Sequence, residues 1–219
     1  MDDGLISLSG VWFAYEPGRP VLQGLDFTLR NGERAGLIGP NGSGKTTLLH
    51  LIMGLIRPSA GRVSIMGKER RTEADFREVR AGLGFVFQDP DDQLFCPTVA
   101  EDVAFGPLNL GLTHAQAHEA THRALEAVGL AGFEGRLTYK LSAGEKKLVS
   151  LATVLAMSPK VLLLDEPTAG LDDKAAGRLA AILSSSGLPY LVISHDHDFL
   201  ARTTNHVYRL EQGRISAND

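Results

Sequence analysis

The sequence predicts an α/β fold. A mostly parallel sheet with helices is expected to form the core, with an antiparallel β subdomain on its N-terminal side and an inserted α-helical subdomain. Three observations predict it. A glycine-rich stretch at residues 39–44 follows a short apolar run and precedes a helical pattern, the strand–loop–helix order of a parallel α/β unit. A second apolar run, Val161-Leu162-Leu163-Leu164, ends in Asp165 and Glu166, as a central strand does when it is buried on both faces and delivers polar groups at its C-terminal edge. The β-type segments before residue 38 precede any α/β alternation, whereas residues 89–158 read as helices. One domain over 1–219 is expected, with residues 1–88 and 159–219 as core plus β subdomain and 89–158 as the helical subdomain.

The bulk properties narrow the function classes. The 219 residues are 43% hydrophobic and 22% charged, ordinary for a soluble globular protein. A net charge of −4 leaves no basic footprint, so no nucleic-acid partner is expected. The one cysteine, Cys96, excludes an internal disulfide and suits a small packed residue. Met1-Asp2-Asp3-Gly4 is acidic, without an apolar signal region. No apolar run approaches the roughly 18–20 residues that span a bilayer, so membrane association would have to come through a partner protein.

In chain order, residues 5–15 alternate as an early strand, Pro17-Gly18 turns, and residues 21–29 read as a second strand. Asn31-Gly32 is a hairpin signal leading into the strand at 35–39. A helix over 47–53, a loop at 57–61 and a strand at 62–66 follow. A buried strand at 83–87 ends at Gln88, and residues 89–95 form a polar loop. Thr98 and Glu101 make a capping box for a helix that Gly106-Pro107 should stop. A longer helix spans 113–128 and carries His114, His118 and His122 on one face. That trio reads as a solvated face rather than a metal site, because no carboxylate or cysteine completes it. An apolar helix over 148–157 ends at Ser158-Pro159. Then come the 161–164 strand, a helix over 172–184, a strand at 190–194 ending at His195, and a hairpin of 206–211 with 213–215.

The chemistry lies where these elements end. Gly39-Pro40-Asn41-Gly42-Ser43-Gly44-Lys45-Thr46-Thr47 fits the phosphate-binding P-loop pattern. Its glycines let the backbone curl so that N–H groups point at phosphate oxygens, and the helix N-terminus adds partial positive charge. Lys45 reaches the β- and γ-phosphates, and the Thr46 hydroxyl ligates Mg²⁺. Asp165 is placed to hold Mg²⁺ or its water opposite Thr46. Glu166, at the strand's end, is the best general base in the chain.

Ser142-Ala143-Gly144-Glu145 resembles the Leu-Ser-Gly-Gly-Gln signature of ATP-binding cassette (ABC) ATPases, and the resemblance extends over essentially the whole chain. It implies ATP and Mg²⁺ as cofactors, with residues 39–46 as Walker A and residues 161–165 as Walker B. It implies Tyr15 as the adenine-stacking aromatic and Gln88 as the Q-loop glutamine, a Mg²⁺ ligand. It also implies Glu166 as catalytic glutamate, Asp172 closing the D-loop, and His195 as the switch histidine. Ser142 and Gly144 sit at the positive end of a helix, an anion site. In the family that end faces the nucleotide of a second subunit, so a head-to-tail homodimer is implied. Two positions depart from the family pattern. Ala143 replaces a glycine, which matters only if the position needs φ > 0. Glu145 replaces a glutamine and is unfavourable near phosphate unless it points away or pairs with Lys146 or Lys147.

Phe85-Val86-Phe87-Gln88-Asp89-Pro90-Asp91-Asp92-Gln93-Leu94-Phe95, with the segments at 98–107, 141–147 and 154–157, is similar to the ATPases of energy-coupling-factor (ECF) importers. Those import cobalt, nickel, biotin and other vitamins. A compact member is implied, pointing to cobalt or nickel. The alternatives are a biotin-type vitamin ECF importer or another ABC importer and, from another class, a soluble ABC ATPase of cofactor assembly. The resemblance places the chain peripherally on the cytoplasmic face of the membrane, with integral-membrane permease subunits touching the loop after Gln88. Leu94 and Phe95 are expected to form a groove there for a coupling helix.

Overall fold

A computed structural model describes residues 4–217 of the chain. Met1, Asp2 and Asp3, read above for the lack of a signal region, lie outside the described residues. Strands β1 (Gly4–Glu16) and β2 (Arg19–Arg30) pair antiparallel. With β4 (Ala60–Ile65) and β5 (Lys68–Glu69) they form a four-stranded sheet ordered β2-β1-β4-β5. The period-two pattern of β1 buries Ile6 and Leu8, then skips a residue to bury Val11 and Phe13. A register shift falls there, and Gly10 takes φ +58°, as a glycine-based bulge requires.

The second sheet has six strands in the order β10-β9-β3-β8-β7-β6. These are β3 (Arg34–Ile38), β6 (Leu83–Val86), β7 (Val161–Asp165), β8 (Tyr190–Ile193), β9 (His206–Glu211) and β10 (Arg214–Ala217). All pairings are parallel except the terminal hairpin of β9 and β10. Every residue of β6, β7 and β8 is buried. Successive residues alternate between two cores. Leu37, Leu163 and Leu191 join the first sheet, α1 (Lys45–Ile52) and α2 (Glu73–Gly82). Ile38, Leu162, Leu164 and Val192 pack with α3 (Val99–Asn109), α4 (His114–Ala127), α5 (Ala143–Leu155), α6 (Asp173–Ser185) and α7 (His197–Thr203). Among the described residues no helix is long and apolar enough to cross a membrane.

Two expectations are corrected. Asn31-Gly32 does turn the chain, with Glu33 N–H donating to Arg30 O at 3.1 Å, but it makes no hairpin. Strand β3 pairs with β8 and β9 in the other sheet. The turn residues fix only the local reversal, whereas a strand whose last four residues are all buried goes where two parallel neighbours can cover it. Glu33 anchors this crossing by accepting from Arg30 N–H at 2.8 Å and from the Tyr208 hydroxyl at 2.7 Å. Pro107 does not stop α3, which continues to Asn109. The proline forgoes the donor that would reach Val103 O, and the last turn is still closed by Leu110 N–H to Gly106 O and Gly111 N–H to Leu108 O, both at 3.0 Å. On α4, Thr113 forms the N-cap and the buried side includes Ala117, Ala120, Ala124 and Leu125, while His114, His118 and His122 are exposed.

Candidate functional site

The loop after β3 wraps the N-terminus of α1. Gly39 has φ +151°, and a Cβ there would sit 2.2 Å from the carbonyl oxygen of Leu210 on β9. Glycine is therefore required by close approach as well as by conformation. Of the seven α-helices described, α1 alone has no side-chain N-cap: α2 to α5 carry capping boxes, and aspartates cap α6 and α7. Its cap residue is Gly44, and its first turn holds no acid. An uncapped helix start leaves its N–H groups available to an anion. The Ser43 hydroxyl is also buried without a partner. Lys45 is 8% exposed, and its ammonium donates to the carbonyls of Gly39 at 2.8 Å and Pro40 at 3.0 Å. Burial pushes its pKa down, opposed by Glu166 and Asp165. These features fit a polyphosphate.

The loop borders a cleft of about 700 Å³ that is also lined by Tyr15, Gln88, Asp165, Glu166 and His195. Tyr15 is 62% exposed, and its hydroxyl lies 3.2 Å from Thr47 Oγ1. Thr46 Oγ1 donates to Asp165 Oδ2 at 2.8 Å, so the hydroxyl and carboxylate that fit a divalent cation already converge. Burial raises the pKa of Asp165, with the Thr46 hydrogen bond the largest opposing effect. Glu166 follows with φ +44°, its N–H donating to Ile193 O at 2.9 Å. A left-handed glutamate is a strained residue, and here the kink ends the strand's alternation so that both acids line one cleft. Oε2 of Glu166 accepts from the His195 backbone N–H at 3.3 Å, and Oε1 lies 3.3 Å from His195 Nε2. Burial raises the pKa of Glu166, and His195 opposes that rise most strongly. Asp172 stands apart as the N-cap of α6, accepting from Ala175 N–H at 2.7 Å.

Ser142, Ala143, Gly144 and Glu145 are not among the residues lining the cleft. Ser142 is the N-cap of α5, whose first turn includes Gly144 rather than following it. Ala143 has no positive φ, so its Cβ brings no strain. Glu145 pairs with neither Lys146 nor Lys147. Its carboxylate accepts from Ser142 N–H and hydroxyl at 2.8 Å each and meets Arg136 at 3.2 Å. Those contacts hold its pKa low, the backbone hydrogen bond of Ser142 first. The neighbouring lysines are engaged elsewhere, Lys146 with Asp91 at 2.5 Å and Lys147 inside the fold.

The groove expected from Leu94 and Phe95 is also corrected. Leu94 is 8% exposed and belongs to the helical-side core, whereas Phe95 is 65% exposed and meets Phe105 edge-on with centroids 4.9 Å apart. Period-two exposure sends adjacent residues to opposite sides, and Asp102 fixes which one points out. Its Oδ1 accepts from Phe95 N–H at 3.1 Å and Cys96 N–H at 2.9 Å. Cys96 is half-buried, and burial, with Asp102 next, pushes its thiol up to about 11.

The sequence reading missed Asp102, Gln93 and Lys147 as organisers of the site. The Gln93 side chain accepts from Phe87 N–H at 3.2 Å and donates to Ser150 O at 2.8 Å and Thr153 Oγ1 at 2.7 Å, tying the loop to α5. Lys147 could have been found by periodicity, since it shares the buried face of Ser150, Leu151 and Val154.

An uncapped glycine-rich helix start facing two strand-end carboxylates defines a P-loop nucleoside triphosphatase. The chain belongs to the ABC transporter family, whose profile matches residues 22–169, and it is an ABC ATPase. It is 47% identical over 222 residues to the nickel import ATP-binding protein NikO of Rhodobacter capsulatus, covering 96% of this chain and 87% of that one. It is 43% identical over 215 residues to the energy-coupling factor transporter ATP-binding protein EcfA of Methanocaldococcus jannaschii, covering 96% and 77%. Among solved structures, cbiO1 of Clostridium perfringens, part of the ABC transporter complex cbiONQ, superposes with TM-score 0.90 at 33% identity, covering 98% of this chain and 87% of that one.

Proposed function

We propose that this chain is the ATP-hydrolysing subunit of an ECF-type importer, coupling ATP-driven dimerisation and hydrolysis to uptake of a small solute, a cobalt or nickel ion. It would sit peripherally on the cytoplasmic face of the membrane. The observation that carries the reading is the separation of two half-sites. The cleft holds the P-loop and the acids, whereas Ser142 and Gly144 lie outside it at the start of α5. One chain has one of each, so two copies arranged head to tail complete two sites. ATP favours the closed pair, and hydrolysis releases it. The similarity to nickel and ECF ATPases supports the cargo.

In this reading residues 39–47 cradle the phosphates and Tyr15 stacks on the adenine. Thr46, Asp165 and Gln88 would hold Mg²⁺, which would supply positive charge against the phosphates. Glu166 takes the proton of the attacking water, and His195 orients that carboxylate and the γ-phosphate. Asp172 approaches the partner copy, and residues 89–158 act as the signature-bearing subdomain. Phe95 and Phe105, in place of the expected Leu94–Phe95 pair, offer the permease its apolar contact.

The test is co-expression with the membrane proteins encoded beside it, purification in detergent, and ATP-dependent uptake of radioactive nickel or cobalt in vesicles. Uptake of either metal supports the reading. Uptake of biotin alone would reassign the cargo, and the absence of any membrane partner would favour a soluble cofactor-assembly ATPase.

A further inference from the structure

We infer that Lys147 is a positioning residue for hydrolysis: from the signature helix, its ammonium staples the open ends of β6 and β7 together and so fixes the peptide that aims Glu166. The inference rests on Glu166 being the base. Strands β6 and β7 pair in parallel up to Val86 opposite Leu164. Gln88 and Glu166 each come two residues after that last pair, where the ladder has ended. The Lys147 ammonium donates to both carbonyls there, to Gln88 O at 2.5 Å and to Glu166 O at 3.3 Å. One side chain thus replaces the ladder at the point where the two strand ends enter the cleft.

The placement is costly without such a role. Lys147 is 4% exposed and has no carboxylate within salt-bridge distance, although Asp89, Asp165 and Glu166 oppose the lowering of its pKa by burial. An apolar side chain would pack there without desolvating a charge. The carbonyl it holds belongs to the strained left-handed residue, Glu166 with φ +44°. A residue in that conformation persists only where its surroundings over-determine it. Glu166 N–H is held by Ile193 O and its carbonyl by Lys147, so both sides of the residue are fixed and the carboxylate direction follows. Because Lys147 lies one turn beyond Ser142 on α5, any movement of the signature helix against the strands acts directly on Glu166 and Gln88.

The test compares Lys147→Met, Lys147→Gln and Lys147→Arg for kcat, nucleotide Kd and melting temperature, alone and combined with Glu166→Gln. Lys147→Met is expected to lower kcat by on the order of tenfold or more, because small misplacements of a catalytic group are costly. Its nucleotide Kd should stay within about twofold, since the P-loop contacts to ATP are untouched. Lys147→Arg should restore most of the loss and Lys147→Gln part of it. In the Glu166→Gln background Lys147→Met should cause no further loss, as residues acting as a unit are non-additive. Unchanged kcat in Lys147→Met, parallel loss of binding and kcat, or full additivity with Glu166→Gln would overturn the inference. Failure of both Met and Gln variants to fold would make Lys147 a stability element and overturn it too. Near-normal turnover in Glu166→Gln alone would instead remove the base assignment on which it rests.

Discussion

The Thr46 hydroxyl donates to Asp165 Oδ2 at 2.8 Å, joining the first turn of α1 to the end of β7. Each atom is a hard oxygen ligand, and each is fixed by a different part of the parallel core. A divalent cation held there would take an oxygen lone pair from each group, the Thr46 hydroxyl keeping its proton and giving up only its hydrogen bond to Asp165. Thr46→Val is therefore expected to raise the Mg²⁺ concentration for half-maximal ATPase by about tenfold or more, with Thr46→Ser close to the parent. A Mg²⁺ titration of turnover checks this. An unchanged midpoint in Thr46→Val would separate the hydroxyl from the metal.

The Glu166–His195 pair predicts a pH effect. Burial raises the Glu166 carboxyl pKa, and His195 opposes that rise more than any other group. A general base works only when deprotonated, so kcat falls as pH drops through this raised pKa. Removing His195 removes the effect that lowers it. His195→Ala should therefore show a reduced plateau and an acid limb displaced to higher pH, measured as kcat from about pH 5 to 8. An acid limb that stays in place would mean that the pair does not set the titration.

What was legible in the sequence followed from local chemistry. The Gly39–Lys45–Thr46 spacing and the apolar run into Asp165 and Glu166 needed only strand and helix periodicity, and Lys45, Thr46, Asp165 and Glu166 all line one cleft. The capping box at Thr98 likewise marked a true helix start. The errors came from choices made at longer range. Asn31-Gly32 specifies a reversal but not which sheet receives the next strand. Glu145 was weighed against its neighbours Lys146 and Lys147, while its partner Arg136 arrives from the loop before α5. The contacts of Lys147 have no local signal, because its two carbonyl partners lie beyond the ends of β6 and β7.

Gly39 and Gly42 separate steric from conformational demand within one loop. At Gly39 an added Cβ would meet the Leu210 carbonyl at 2.2 Å, whereas at Gly42, φ +75°, nothing lies within 4 Å. The Leu210 carbonyl belongs to a sheet strand and cannot yield without disturbing β9. Gly39→Ala is expected to cost roughly 3 kcal/mol or more by combining strain with overpacking and to abolish nucleotide binding. Gly42→Ala should cost only about 1–2 kcal/mol. Thermal unfolding and nucleotide titration of the two variants decide it, and equal losses would contradict the difference in contact.

Arg70 and Glu78 give the core an acid-sensitive tie. The Arg70 side chain is 1% exposed and is held by Ile65 O and by Glu78 at 2.7 Å, with Lys68 adding a 3.0 Å contact to Glu78. Hydrogen bonds from Arg70 and then Lys68 hold the Glu78 carboxyl at about 2, below its ordinary 4.5. A depressed carboxylate contributes stability above its unfolded pKa, and that contribution is lost as pH falls toward the folded value. Glu78→Gln should lower the melting temperature near neutrality, modestly because solvent reaches Glu78. The gap from the parent should close as the pH drops from about 4.5 toward 2. A gap independent of pH would show packing, not charge, at work.

Phe95 offers a way to part transport from hydrolysis. Its backbone is clamped by Asp102, its ring is 65% exposed against Phe105, and neither ring lines the nucleotide cleft. Exposed aromatics held by a rigid frame are the side chains that dominate protein interfaces. Phe95→Glu places a charge where an apolar partner surface would close, so association is penalised by an unpaired buried carboxylate. In vesicles containing the complete transporter, uptake should be lost. The isolated variant should retain nucleotide affinity and basal ATPase within about twofold, since Phe95 does not line the nucleotide cleft. Detergent co-purification should show the ATPase released from its membrane partner. Retained uptake would move the docking surface away from Phe95, and a parallel loss of nucleotide binding would place this loop in the ATP site instead.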